Sequence, residues 1–236
     1  MVVGLGPGNR DSFTPEALAA IEAAEVVAGY HTYLELIPDL LQDKEIIATA
    51  MRGEVERARQ AVELALAGKT VAVVSSGDPG IYGMAGILIE VAEGRVPVKI
   101  IPGITAASAA AASLGAPLMN DFAVISLSDL LTPWETMLKR LEAAAAGDFV
   151  MVLYNPRSHG RPDHIKTAQE IMLKHKSPTT PVGIVRKARR GEETRTLTTL
   201  QNMLDFEIDM LSTVIIGNSQ TRVAGHYMVT PRGYRL

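Results

Sequence analysis

From its first residue the chain repeats one pattern: an apolar, β-branched run passes into a glycine-rich segment and then into a helical one. Residues 1–5, 70–75 and 98–101 are such runs, followed by GLGPG at 4–8, SSGDPGIYGMAG at 75–86 and PGITAASAAAA at 102–112. This alternation leaves few folds open. It predicts parallel strands joined by crossover helices in an α/β layer. In such a sheet the loops that follow the strands share one edge, where ligands bind. Glycine in those loops lets a ligand approach the backbone closely.

The remaining signals extend the pattern. Thr14-Pro15-Glu16 is a helix start, with an N-cap, proline at the first helical position and an acid in the first turn. Residues 26–29 and 45–48 read as strands, and 31–41 as helical. Residues 54–67 form an amphipathic helix ended by Gly68. Helices are also expected at 84–93 and 105–114, and a strand at 122–126 is expected to close the first sheet. After a connection at 127–134 come a helix at 135–146, a strand at 149–154, a helix at 162–175 and a strand at 181–185. The polar, Thr-rich alternation at 194–199 predicts an antiparallel strand, and 212–216 is again apolar. The expected organisation is two α/β domains, residues 1–125 and 126–236.

Composition removes several classes. The 236 residues contain no cysteine, which excludes disulfides, thiolate catalysis and cysteine-held zinc or iron–sulfur clusters. The start MVVGLG lacks the basic stretch of a secretory signal, so a cytoplasmic protein is expected. Residues 100–120 are uncharged and long enough to span a bilayer, but Pro102-Gly103 and Gly115-Ala116-Pro117 interrupt them, so a buried helix is expected. Net charge is −6 over residues 1–120 and +3 over 121–236. Basic residues cluster in the second half, at Arg157 with Arg161, at 186–190, and at Arg222, Arg232 and Arg235. That asymmetry suits a small polyanion or a solvated surface. With an acidic chain and 5% aromatic residues, nucleic acid is not an expected partner, and neither is a membrane.

Familiar motifs fail on inspection. In Gly4-Leu5-Gly6-Pro7-Gly8-Asn9 the third glycine of a dinucleotide fingerprint is Asn9, and the helix starts too late for a tight phosphate turn. Gly68-Lys69-Thr70 has Glu63 where a P-loop needs glycine. There is no G-x-S-x-G, and the five histidines have no metal-ligand spacing, so no metal is expected. Asp78, between Gly77 and Pro79, is placed to receive a ribose hydroxyl or an ammonium, or else to cap the next helix. The residues leave both open.

The GxGPG start, the S-G-D-P-x-x-Y-G loop and the P-G-x-T-A-A-S-A-A segment resemble the tetrapyrrole (corrin/porphyrin) methylases. These are S-adenosylmethionine-dependent enzymes of cobalamin and sirohaem synthesis. The resemblance runs along essentially the whole chain. GYHTYLELI at 29–37, DFAVISLSDLLTPWE at 121–135, LYNPRS at 153–158, GIVRKARRGEE at 183–193, VIIGNSQTRV at 214–223 and TPRGY at 230–234 narrow it. They resemble the branch that methylates C17 of precorrin-3B or cobalt-factor III and contracts the ring. The alternatives are another regiochemistry, at C11 or on uroporphyrinogen, and, in a different class, a nicotinamide-dependent oxidoreductase or a nucleotide-sensing module.

The resemblance implies a homodimer of the class III methyltransferase fold, with the cofactor folded between two domains. By matching positions, Pro7, Ser76, Gly77, Asp78, Ile81, Thr105 and Ala106 contact it from the first domain. Tyr154, Asn155, Ala188 and Thr213 do so from the second. For Thr105 a helix N-cap, and for Tyr154 a packing aromatic, are the structural alternatives. Methyl transfer from a sulfonium is an in-line displacement that rests on positioning. Ring contraction adds a proton transfer, for which Asp121, Ser126, Ser128, Asp129, Tyr30 and His31 are candidates. Arginine forks bind carboxylates bidentately, and Arg157, Arg186 and Arg232 are expected to hold those of the substrate.

Overall fold

The structure is a computed structural model and describes residues 1–50 and 53–234. The chain divides into two compact units, Met1–Ala106 and Ala107–Leu236. The first contains β1 (Val2–Gly4), α1 (Pro15–Ala23), β2 (Val26–Tyr30), α2 (His31–Leu34), β3 (Glu45–Thr49), α3 (Glu54–Leu66), β4 (Val71–Ser75), α4 (Ala85–Ala92) and β5 (Ile100–Ile101). The helix α5 (Ala106–Leu114) follows. The second unit adds β6 (Gly115–Ala116), β7 (Phe122–Ser126), α6 (Trp134–Ala146), β8 (Val150–Tyr154), α7 (His164–Met172), β9 (Pro181–Arg186), β10 (Thr194–Thr199), β11 (Ser212–Ile216), β12 (Arg222–Ala224) and β13 (Tyr227–Val229).

The first sheet is wholly parallel, in the order β3-β2-β4-β1-β5. Its central strands are buried on both faces, as their unbroken Val/Ala runs require. One face packs on α1 through Ala17, Ala20 and Ile21, and the other on α3 and α4 through Ala58, Ala61, Val62 and Leu88. Thr14 caps α1 as read, its hydroxyl accepting the Ala17 N–H at 3.1 Å. The helix expected over 31–41 is only one turn, because Pro38 begins a separate 3₁₀ turn.

The second sheet is mixed, in the order β10-β9-β11-β8-β7. β10 pairs antiparallel with β9, as its alternation predicted, while β7 and β8 are parallel. This corrects the expectation that residues 122–126 close the first sheet. The division also falls at Ala106–Ala107 rather than at 125/126, because the Ala-rich α5 serves the second sheet. Ala107, Ala110, Ala111 and Leu114 bury against Val150, Val152, Val185 and Ile215. Small side chains let the helix sit close, and Gly183 completes the fit. A Cβ there would lie 2.3 Å from Leu114 Cδ1.

Lys176 is a buried cation that ties the end of this unit's helix layer to β8. Its Nζ donates to the Phe149 carbonyl at 2.8 Å and to Asp148 Oδ1 at 3.4 Å. Burial alone would raise the Asp148 carboxyl, but hydrogen bonds from Ser219 and the charge of Lys176 outweigh it and hold the group below its ordinary range. Among the described residues no helix is long and apolar enough to cross a membrane, and no cluster of metal-ligating side chains is present.

Candidate active site

The strand order β4-β1-β5 makes neighbours of the three glycine-rich loops, since each leaves the C-terminal end of one of these strands. They are joined through the backbone. Gly6 and Gly77 exchange hydrogen bonds, Gly77 N–H to Gly6 O at 2.8 Å and Gly6 N–H to Gly77 O at 3.1 Å. A Cβ on Gly103 would lie 2.2 Å from the Gly77 carbonyl oxygen, and one on Gly4 would lie 2.6 Å from Gly103 N. No side chain fits at either position.

Asp78 locks the junction. Oδ1 accepts the Gly80 N–H at 2.8 Å and Oδ2 accepts the Gly103 N–H at 3.1 Å. The carboxylate does not cap the helix that follows, α4, whose N-cap is Met84; it bridges two loops instead. Lone pairs remain on both oxygens for a further donor. Gly77 has φ +68°, and a Cβ there would meet the backbone of Ile104, Thr105 and Ala106 at 3.8–4.0 Å, ordinary contact distances. Bare backbone is thus presented beside Asp78. Pro7 is buried, Ser76, Thr105 and Ala106 are half-buried, and Ile81 is exposed. All five lie on these loops or at the start of α5. Tyr30 ends β2, beside β4 in the same sheet, with edge-on contacts to His31 and Tyr33.

In the second unit Tyr154 ends β8, and its hydroxyl accepts the Ala107 N–H at 2.6 Å. Asn155 has φ +50°, a conformation that asparagine adopts more readily than most residues. Its Nδ2 donates to Ser126 Oγ at 2.9 Å, and the Ser128 N–H reaches the same oxygen at 3.3 Å. Ser126 therefore holds the strand ends together. Ala188 packs, partly buried, against the core cluster that includes Val185 and Ile215, and Thr213 is buried in β11 opposite Val185.

Around Asp129 the structure assembles a group that sequence reasoning missed. His164 Nδ1 lies 2.9 Å from the Leu127 carbonyl, so that nitrogen carries the proton. Its Nε2 is 3.8 Å from Asp129 Oδ2, and its ring stacks on Trp134 at 4.0 Å between centroids. Arg161 Nη1 donates to the same Leu127 carbonyl at 2.8 Å, with Nε 3.8 Å from Asp129 Oδ1. Nothing in the spacing of Asp129, Trp134, Arg161 and His164 announces this grouping. Only the folding of α7 against the 127–134 segment creates it. Asp121 does not belong with Ser128 and Asp129. It stands just before β7, at the opposite end of the strand from Ser126, with its carbonyl accepting the Val150 N–H.

The arginines separate as well. Arg186 donates from Nε to Asp209 Oδ2 at 2.6 Å, with Nη2 3.5 Å from Glu207. The hydrogen bond to Asp209 raises its pKa. Burial would raise the Asp209 carboxyl, but Arg186 and Ser212 hold it below its ordinary range. Arg186 is therefore engaged by acids of its own unit. Glu192 accepts from Lys187 Nζ at 3.1 Å, and Glu193 from the Arg189 N–H at 2.6 Å. Arg157 and Arg232 are exposed, and Arg235 lies outside the described residues.

Residues 1–204 match the family described as Tetrapyrrole (Corrin/Porphyrin) Methylases. The chain belongs to that family. It is 52% identical to a protein of Salmonella typhimurium named probable cobalt-factor III C(17)-methyltransferase, over all of this chain and 99% of that one. It is 50% identical to the cobalt-factor III methyltransferase of Priestia megaterium, of which it spans 45%. Among solved structures, that of the methyltransferase CobJ superposes with a TM-score of 0.93 at 40% identity, covering 98% of both chains. The tetrapyrrole methylase fold expected from the motifs is thus the fold present.

Proposed function

We propose that this chain is an S-adenosylmethionine-dependent C-methyltransferase of cobalamin biosynthesis, acting at C17 of precorrin-3B or cobalt-factor III with contraction of the ring. The observation that carries the reading is the full-length identity of 52% to the Salmonella relative. The loop junction supports it: bare backbone at Gly77, next to a carboxylate with spare lone pairs, fits a cofactor that bears an ammonium and ribose hydroxyls.

When bound, the cofactor supplies an electrophilic methyl group on a sulfonium, and S-adenosylhomocysteine is the product. Pro7, Ser76, Gly77, Asp78, Ile81, Thr105 and Ala106 are its proposed contacts in the first unit, and Tyr154, Asn155, Ala188 and Thr213 those in the second. Their work is to hold and align, since the tetrapyrrole carbon is itself the nucleophile. For the proton transfer of ring contraction we favour Asp129, with Ser128 next to it and His164 fixed by Leu127 at its side. Tyr30 remains a candidate from the first sheet's edge, whereas Asp121 does not join this group. Arg157, then Arg232, are the proposed carboxylate-binding arginines. A cytoplasmic homodimer completes the proposal.

Hydrogen exchange with S-adenosylhomocysteine tests the cofactor reading. Protection is expected in residues 75–83 and 102–106, and around Tyr154-Asn155 and Ala188. NADPH is expected to give none. Protection by NADPH instead would favour the oxidoreductase.

A further inference from the structure

Arg57, on α3, is only 3% exposed. Its Nη1 donates to Thr49 Oγ1 at 2.6 Å and its Nη2 to Met84 Sδ at 3.6 Å. Its Nε has no hydrogen-bond partner among the described residues. Both acceptors are neutral, and a thioether accepts weakly. Burial lowers the guanidinium's pKa, opposed by the charge of Glu54 and then by Tyr33. Taking a cation out of water is costly, and close hydrogen bonding to a carboxylate is what offsets it. Among the described residues neither hydrogen bond of Arg57 supplies that offset, so stabilising the fold does not account for this residue.

Its two partners suggest what does. Thr49 ends β3, and Met84 stands immediately before α4, where the glycine-rich loop that leaves β4 closes. From Met84 the contacts run straight into that loop. The Ala85 N–H donates to the Pro79 carbonyl at 2.9 Å. Gly83 packs so closely that a Cβ would lie 2.7 Å from the same oxygen. Pro79 adjoins Asp78, which holds Gly80 and Gly103.

We propose that Arg57 is a positioning residue for the cofactor, fixing the closing end of the 75–85 loop against β3 without touching the ligand. This rests on the reading of that loop as cofactor-binding. The guanidinium fork spans two elements at once, which neither an ammonium nor an apolar side chain does.

The test compares wild type, Arg57→Met and Arg57→Lys by thermal melting, by calorimetry with S-adenosylhomocysteine and by steady-state kinetics. Arg57→Met removes a poorly compensated buried charge at similar volume, so its melting temperature is expected to match or exceed the wild type's. Its dissociation constant for S-adenosylhomocysteine is expected to rise about 10-fold or more. The KM for S-adenosylmethionine should rise likewise, with that for the tetrapyrrole unchanged. Arg57→Lys should fall between the two.

Three results would overturn the proposal: wild-type affinity in Arg57→Met, a melting temperature that falls in step with affinity or a failure to fold, or wild-type affinity in Arg57→Lys. Exchange on the wild type isolates the underlying reading. Without ligand protection of residues 75–83, the loop assignment itself fails, whatever Arg57 does to affinity.

Discussion

Gly103→Ala is expected to lower the melting temperature by about 6–12 °C and to abolish S-adenosylhomocysteine binding. The added Cβ would stand 2.2 Å from the Gly77 carbonyl oxygen and 2.9 Å from Gly4 C. Both are backbone atoms of loops tied to their strands, so neither can rotate away as a side chain would. Separating them also breaks the Gly103 N–H bond to Asp78. Over-packing costs about 1–3 kcal/mol, and this site belongs at the top of that range. For a chain of this length, roughly 3 kcal/mol corresponds to the stated shift. Thermal melting and calorimetry measure both effects. An unchanged melting temperature would mean that the loops are not held as closely as described.

Arg157→Ala is expected to raise the KM for the tetrapyrrole about 10- to 100-fold while leaving S-adenosylhomocysteine affinity near that of the wild type. Arg157 is exposed and lies just after Tyr154-Asn155 at the end of β8, whereas Arg186 is engaged by Asp209 and Glu207. A hydrogen-bonded charge contributes about 1.5–3 kcal/mol, which is the stated change in affinity. The effect should shrink at high salt, because exposed charges are screened within about 8 Å at physiological ionic strength. Steady-state kinetics at two ionic strengths reads it. Equal loss of both affinities would assign Arg157 to the cofactor or the fold, and no loss would leave it as surface.

What could be read in advance follows from how local each signal is. β1 and β4 were legible because a buried parallel strand must be apolar throughout, and the loops were legible because only glycine permits the close approach of Gly4 and Gly103 and suits the positive φ of Gly77. Which strands neighbour one another is a long-range matter. The run at 122–126 would suit the edge of either sheet, and its pairing with β8 is written nowhere in it. Likewise alanines at 107, 110 and 111 announce a closely packed helix but not its sheet. The matching hole at Gly183 lies far along the chain. Asp121 and Asp129 looked alike in one segment, yet a strand runs between them. His164 looked like any surface histidine until α7 set it against Trp134 and Leu127.

The central claim is the position that is methylated. It is tested most directly by incubating the enzyme with isotope-labelled S-adenosylmethionine and, separately, precorrin-3B and cobalt-factor III, followed by mass spectrometry and NMR of the product. The expected products are S-adenosylhomocysteine and a tetrapyrrole with one new methyl group, its label on C17 of a contracted ring, from at least one substrate. Label at C11 or any other position, or no transfer to either substrate, would contradict methylation at C17.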